Sequence, residues 1–511
     1  MMQPGQSAGR GTQIRSLRIL PAMGFVLVIC LMLAERAGLP EALFTQIFLI
    51  IVGATIGGIA LGTRTLDGQQ FFRPSRGGQA STRGVAIGCL TGLGFVPIAL
   101  PTLWQGDSTL GLSMALAVSV GGLVFVSLIA PALHRAEAPD IARLAVPDHS
   151  SPWLRAAIYL LSLLTCLAAL AALSGFFLAF ETQQELVQDN FITRGAIGLA
   201  VLVAILGGRA GVVRLAALAL PISIIAGAGV ATIGAGLELD ALRDLSRNEL
   251  LRAGSTPADA VDQTRVLALI GICLITATML GTVLGNAGFG SRQAVVRTPV
   301  FFYVAMASGI AISAGLAAIG STGASDQQFA IYSVAENLDL PIVFRSAATS
   351  AVAAVMCAAI SATMFACSSI LLRGVAPIFT QRRQADGRQL FRARLLLLSL
   401  GVALIFSPTA PDVPTFGRLA MIGAGALAVM GLPLISALAL LNHVKTWHIG
   451  LSWLTGLGSS AALIVASGDP LTWPSPERLA AATPVGVAVA FLMVLLLRLV
   501  ANYQFRRRAM I

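Results

Sequence analysis

Charged residues are scarce in this chain. Only 11% of its 511 residues are Asp, Glu, Lys or Arg, whereas soluble globular proteins carry about 25%. Hydrophobic residues make up 56%, and the mean hydropathy is +0.84. This deficit excludes a soluble enzyme, a disordered protein and a nucleic-acid-binding domain. The composition instead predicts an all-α polytopic protein whose main partner is the lipid bilayer.

Groups for catalysis and metal binding are missing from the apolar stretches as well. No span centre holds an Asp or Glu, the six cysteines form no C-x-x-C pair, and the four histidines lie in loops without ligand-like spacing. Intramembrane enzymes and carboxylate-relay pumps need such groups near the membrane centre. The sequence therefore argues against an enzyme and a metal site, and it predicts no cofactor.

About 14 apolar stretches are long enough to cross the roughly 30 Å hydrocarbon core as helices. The continuous runs exclude a membrane barrel, whose strands would alternate apolar and polar residues. The first stretch follows a basic tail but lacks a small-residue cleavage site, so we interpret it as an uncleaved span. The predicted spans are 19–34, 42–62, 84–104, 110–133, 155–180, 194–208, 212–236, 265–286, 299–318, 343–372, 394–408, 416–441, 449–467 and 483–500.

Basic residues favour alternate loops between these spans. If the N-terminus is cytoplasmic, the inner segments hold 25 Lys/Arg and 5 Asp/Glu, and the outer segments hold 9 and 18. This is the distribution of the positive-inside rule, so the net charge of +11 indicates topology rather than a nucleic-acid partner. We expect a multi-pass protein of a bacterial-type inner membrane with both termini in the cytoplasm.

Two spans are predicted to be breakable helices. The third carries Cys89, Thr91, Gly92 and Gly94, and the eighth ends with Gly285, Asn286 and Gly288. Glycine lowers the cost of leaving helical geometry, and exposed backbone at membrane depth can bind a solute or an ion. The alternative is that these glycines only allow close helix packing.

The position of these two spans favours the binding interpretation. They lie five spans apart and cross the membrane in opposite senses, as expected for inverted repeats. The predicted units are 1–83 (tail, two peripheral helices and inner loop), 84–236 (first five-helix repeat), 237–264 (outer loop), 265–441 (second repeat) and 442–511 (two further helices and tail).

Several segments together resemble the sodium:solute symporter family, closest to its acetate/monocarboxylate permease branch. These segments are Thr63–Arg76, Ala130–Arg135 with Ala138-Pro139-Asp140, Ala353–Ser369, Arg392–Arg394 and Gly285-Asn286-Ala287-Gly288. The resemblance covers roughly residues 42–440. It implies a LeuT-like five-plus-five transporter that imports a small organic solute, such as a monocarboxylate, together with a cation.

The sequence departs from the family pattern at the ion site. Family members with a well-defined sodium site carry adjacent Ser and Thr where this chain has Ala358 and Ala359, with Ser361 close by. Methyl groups cannot coordinate a hard cation, which needs oxygen ligands. The resemblance therefore implies a degenerate sodium site, and sodium or a proton remains the possible coupling ion.

Three hypotheses follow. The first is a secondary active importer working by alternating access, with its site near Thr91, Gly92, Asn286 and Ser361. The others are an uncoupled facilitator and a transporter-derived sensor or scaffold that no longer moves solute. The sequence predicts no oligomeric state.

Overall fold

The computed structural model describes most of the chain as helices. The residues that it describes are 33, 36–38, 40–72, 80–90, 108–135, 140–146, 151–183, 191–237, 263–285, 297–310, 339–380, 386–406, 412–440, 446–466 and 474–509. These residues contain helices, turns and extended connectors but no strand. The all-α architecture predicted from composition is therefore confirmed.

Eight helices belong to the first half of the chain. They are α1 (Glu41–Gly62), α2 (Gly68–Phe72), α3 (Ala80–Gly88), α4 (Ser108–Val124), α5 (Ala130–Arg135), α6 (Ile141–Ala145), α7 (Pro152–Gln183) and α8 (Phe191–Leu237).

The second half supplies the remaining described helices. They are α9 (Gln263–Val283), α10 (297–310), α11 (Ile342–Ser369), α12 (Ala376–Thr380), α13 (Asp386–Ile405), α14 (Val413–Leu440), α15 (Thr446–Ala466) and α16 (Pro476–Ala509). Within the described ranges, nine helical segments are long and apolar enough to cross a membrane. Span 19–34 falls almost wholly outside those ranges, so the total of 14 stays a prediction.

Several helices extend past the predicted apolar spans. α13 begins at Asp386 instead of 394, and α16 runs from Pro476 to Ala509 instead of 483–500. Hydropathy marks only the part of a helix that lipid or protein covers, whereas the backbone hydrogen bonds continue through the polar flanks. The predicted spans therefore find these helices but underestimate their length.

A helix break separates the two spans predicted at 194–208 and 212–236. Gly208 has φ 53° and ψ −140°, which divides α8 into segments 191–207 and 209–237. Residues with a Cβ rarely adopt this left-handed backbone, so glycine is suited to the position. The break redirects the chain without a loop.

Two π-helical turns occur where long helices meet a proline. The turn Phe125–Ile129 joins α4 to α5, which contains Pro131, and the turn Ile370–Val375 joins α11 to α12, which contains Pro377. Proline lacks an N–H and clashes with the preceding helical turn, and a locally widened helix relieves both problems.

The helix α11 forms the centre of the molecule. It packs against α1, α7 and α8, and nearly all of its side chains are buried. The short α2 reaches this core through Phe71 and Phe72, whose ring centroids lie 5.7 and 6.0 Å from that of Phe365 on α11. Residues near the end of α11 therefore lie inside protein rather than lipid.

Candidate functional site

The predicted broken-helix residues are only partly within the described ranges. Cys89 is buried and lies in a π-helical turn directly after α3. α9 ends at Val283, and Gly285 follows with φ 52°, its N–H donating to the carbonyl of Gly281 at 3.1 Å. Regular α-helix therefore ends at both places. The predictions for Thr91, Gly92, Gly94, Asn286 and Gly288 lie outside the described residues.

The predicted ion-site residues lie on α11 and are enclosed by protein. Ala358 and Ser361 are fully buried, and Ala359 is 9% exposed. The Ser361 hydroxyl donates to the Ala358 carbonyl at 3.0 Å. This hydrogen bond occupies the proton of the hydroxyl within its own helix, as Ser side chains commonly do in buried helices. The oxygen of Ser361 keeps a lone pair that could still accept a hydrogen bond or bind a cation.

Other hydroxyls of α11 face a neighbouring helix. Ser350 and Ser368 are buried, and their oxygen atoms have no hydrogen-bond partner within the described part of the chain. Helical spacing places both on the same face as Cys357, whose thiol donates to the Ala196 carbonyl of α8 at 3.3 Å. These serines therefore lie at or near the packed contact between α11 and α8.

A small pocket with a mostly apolar surface lies where α6, α7, α9, α14 and the π-helical turn after α11 meet. Its cavity volume is about 10 Å³, roughly the space of one water molecule, and Asp140 is the carboxylate in its wall. The pocket is lined by Asp140, Ile141, Ile158, Tyr159, Ser162, Thr282, Ile370 and Leu427. Elements from both halves of the chain thus surround a single acidic group.

The Asp140 carboxylate has two hydrogen-bond donors. The backbone N–H of Arg143 donates to Oδ1 at 2.8 Å, so Asp140 caps the short helix α6. The Tyr159 hydroxyl lies 3.2 Å from both carboxylate oxygens. These contacts join the loop before α6 to the beginning of α7.

Burial raises the pKa of the Asp140 carboxyl above its usual value, because the charged form loses water. The hydrogen bonds from Arg143 and Tyr159 lower the pKa, as do the positive charges of Arg143 and Arg373, but desolvation is the largest effect. Asp140 is therefore easier to protonate than an exposed aspartate.

Arginines hold the segment between α1 and α2 against the break in α8. Arg394 donates from Nη2 to the Thr65 carbonyl at 2.6 Å and from Nε to the Ile205 carbonyl at 3.1 Å. Arg209, directly after the break, donates to the Phe72 carbonyl at 3.3 Å. Backbone carbonyls left unpaired at the helix ends thus receive charge-assisted hydrogen bonds.

Asp140 is not among the functional residues predicted from the sequence. The segment Ala138-Pro139-Asp140 contributes only to the family resemblance, because Asp140 lies between the predicted spans rather than within one. The available signal was a carboxylate in a segment where basic residues dominate. Its burial became visible only when α7, α9 and α14 were placed around it.

Comparison with solved structures relates this fold to transporters. The chain is similar to a Na+-coupled sialic acid symporter in a substrate-bound outward-open state, with a TM-score of 0.71 and 13% identity over 89% of this chain and 97% of that one. Neither a protein-family model nor a curated protein sequence matches the chain. The match therefore establishes a fold, the LeuT-like inverted-repeat transporter fold.

Two further solved structures are less similar. One is Mhp1, a nucleobase-cation-symport-1 family transporter in a closed conformation, with a TM-score of 0.44 and 15% identity over 87% of this chain and 94% of that one. The other is a manganese transporter of Eremococcus coleocola, with a TM-score of 0.46 and 15% identity over 83% and 95%.

Proposed function

We propose that this protein is a secondary active transporter that imports a small organic solute together with a cation by alternating access. The observation that carries this proposal is the whole-chain similarity, at a TM-score of 0.71, to a Na+-coupled sialic acid symporter. The scarcity of charged residues supports it, since such a transporter needs no soluble domain. Rocking of one helix bundle against the other would expose the site to each side in turn.

The solute class that we propose is a monocarboxylate such as acetate. The family resemblance of the Gly285–Gly288 segment supports this class, and so does the carboxylate group of sialic acid, the solute of the similar symporter. The proposed site lies between the third, eighth and tenth predicted spans, near Thr91, Gly92, Asn286 and Ser361.

Sodium is the less favoured coupling ion. Ala358 and Ala359 offer no side-chain oxygen, so Ser361 supplies the one hydroxyl oxygen among the three predicted ion-site residues. Sodium binding needs several oxygen ligands at once, like other hard cations. A proton requires only one group that can bind and release it, so we favour proton coupling.

The test is uptake into proteoliposomes of labelled acetate, pyruvate and sialic acid. Protein-free liposomes correct for passive entry, which is fastest for acetic acid. We expect uptake that follows an imposed pH gradient and changes less than twofold when choline replaces sodium. Uptake that ignores both gradients would indicate an uncoupled facilitator, and binding without uptake would indicate the sensor or scaffold.

The matched variants are Asn286→Ala and Ser308→Ala. Asn286 is the amide of the proposed site, and we expect its loss to reduce uptake at least tenfold. Ser308 is half-buried, and its hydroxyl donates to the Val304 carbonyl within its own helix at 2.8 Å, so uptake should be unchanged. Equal activity of both variants would exclude Asn286 from the solute site.

A further inference from the structure

The pocket around Asp140 lies between parts of the chain that move relative to each other if the transporter works by alternating access. α6 and α7 belong to the first half, whereas α9, the π-helical turn after α11, and α14 belong to the second. A rearrangement of the two halves would change the packing of Ile141 and Tyr159 against Thr282, Ile370 and Leu427. Access of water to Asp140 would change with it.

Close packing on one side makes this pocket sensitive to such a rearrangement. A Cβ added at Gly281 would clash with the side chain of Ile141, and one added at Gly431 would lie 3.1 Å from it. α9 and α14 therefore both approach the residue next to Asp140. A shift of either helix must displace the beginning of α6, which Asp140 caps.

The side chain of Asp140 is largely surrounded by protein but remains partly accessible to water. Its carboxylate receives the Tyr159 and Arg143 hydrogen bonds, yet the residue retains partial exposure at the pocket wall. A group that exchanges protons needs both properties, since burial favours the protonated form and a water path lets the proton leave.

Charged groups surround Asp140 on several sides. Arg143 follows it on α6, and Tyr159 faces it from α7, with Arg155 near that tyrosine. Arg373 lies on the turn after α11, and Arg209 lies directly after the break in α8. α5, which precedes this region, ends in His134 and Arg135. The lining side chains from α9 and α14 are Thr282 and Leu427, which do not titrate. Movement of Arg373 or Arg209 relative to Asp140 would raise or lower its proton affinity.

We infer that Asp140 is the proton-binding group of this protein, taking up the coupling proton in one conformation and releasing it in the other. The inference rests on the proposed function and names its coupling ion. A hydronium ion in the pocket gives its proton to a carboxylate oxygen, forming an O–H bond and leaving water. The proton returns to water when the pocket rearranges.

The variants separate proton binding from helix capping. Asp140→Asn keeps an oxygen that accepts from the Arg143 N–H and is itself a favoured N-cap, but it cannot titrate. Tyr159→Phe removes only the hydroxyl that donates to the carboxylate. Asp412→Asn is the matched control, because Asp412 is an exposed aspartate that accepts from Thr415 at 2.6 Å near the start of α14.

The first measurement is infrared difference spectroscopy of the full-length protein in nanodiscs between about pH 5 and about pH 8. We expect a carbonyl band of a protonated carboxylic acid that disappears in Asp140→Asn, shifts in Tyr159→Phe and persists in Asp412→Asn. A band unchanged in Asp140→Asn would overturn the inference, whether or not any solute is transported.

The second measurement is the uptake assay with the same variants. One pH unit can drive about tenfold accumulation if one proton accompanies each solute. We expect Asp140→Asn to lose this accumulation and retain exchange of labelled for unlabelled solute. Accumulation that Asp140→Asn leaves intact would overturn the inference while the transport proposal stands. If none of the three solutes moves, the proposed solute class fails and the spectra alone decide the proton site.

Discussion

At the scale of single residues, the structure depends on a few positions where the local backbone or burial is unusual. Gly208 holds a left-handed backbone at the break in α8, and Asp140 holds a carboxylate inside a pocket. Both carry a free-energy cost that the rest of the molecule offsets. Substitution at these positions should therefore have large and specific effects.

Gly208→Ala should destabilise the protein. This positive-φ backbone costs a residue with a Cβ about 1–3 kcal/mol, and the new Cβ would lie 2.6 Å from the Phe71 carbonyl oxygen. We expect a lower Tm in detergent. The control is Gly198→Ala on the same helix, where a Cβ meets nothing within 4 Å and alanine should be neutral or stabilising. Equal Tm values for the two variants would contradict this role of Gly208.

Asp140→Asn should change how stability depends on pH. The pKa of Asp140 is higher in the folded protein than in the unfolded chain. Between these two pKa values, Asp140 therefore takes up a proton when the protein folds. Asp140 does not lower the free energy of unfolding at a pH below its pKa in the unfolded chain. The free energy of unfolding falls as the pH rises from there through the pKa of Asp140 in the folded protein. Thermal unfolding should show the wild type losing stability relative to Asp140→Asn as pH increases. A constant difference between the two proteins would show that Asp140 does not titrate in this range.

At the scale of helices, close packing at glycine connects elements from different parts of the chain. A Cβ at Gly121 of α4 would lie 2.6 Å from the Cys273 carbonyl oxygen of α9, and one at Gly271 of α9 would clash with the Ala480 backbone of α16. Small residues allow membrane helices to approach this closely, and the gain is van der Waals contact. The helix α9 is therefore tightly packed on two sides.

Gly121→Ala should force α4 and α9 apart. Overpacking at a close backbone contact costs about 1–3 kcal/mol, so we expect a reduced Tm. Gly58→Ala in α1 is the control, because a Cβ there meets nothing within 4 Å. If Gly121→Ala were as stable as Gly58→Ala, the two helices would not be in the contact described.

The sequence predicted the helices better than their contacts. Hydropathy located α1, α4, α7, α11, α14 and α15. A continuous apolar run of membrane length can satisfy its backbone hydrogen bonds in lipid only as a helix, so such runs predict helices well. Hydropathy did not predict the π-helical turns before Pro131 and Pro377. Whether a helix widens, kinks or ends at a proline depends on how the backbone relaxes there, which hydropathy does not describe. The site residues Thr91, Gly92, Gly94, Asn286 and Gly288 lie outside the described ranges and stay predictions.

At the scale of the whole molecule, charge distribution sets the expected orientation. The loop 237–264 is predicted to be outside, and the arginine-rich segment 373–394 inside. A single misplaced span would invert every later loop, so this bias is a stringent test of the span assignment.

A cysteine introduced into one loop should react with a maleimide added outside the cell, and a cysteine introduced into the other loop should not. In intact cells a membrane-impermeant maleimide should modify Ser246→Cys but not Gln384→Cys, and lysis should expose the second. The unmodified protein is the background control, because its cysteines lie in apolar stretches. Labelling of Gln384→Cys in intact cells would reverse the proposed orientation.

The sequence alone determined that this is a helical membrane protein, and it placed most of the spans, because apolar content and charge bias are local properties of the chain. Only the tertiary structure brought Asp140 together with Tyr159 and Arg373. These residues come from different elements, and their meeting depends on how the long helices cross. Burial of a loop carboxylate is therefore a property of the assembled bundle, which hydropathy cannot reveal.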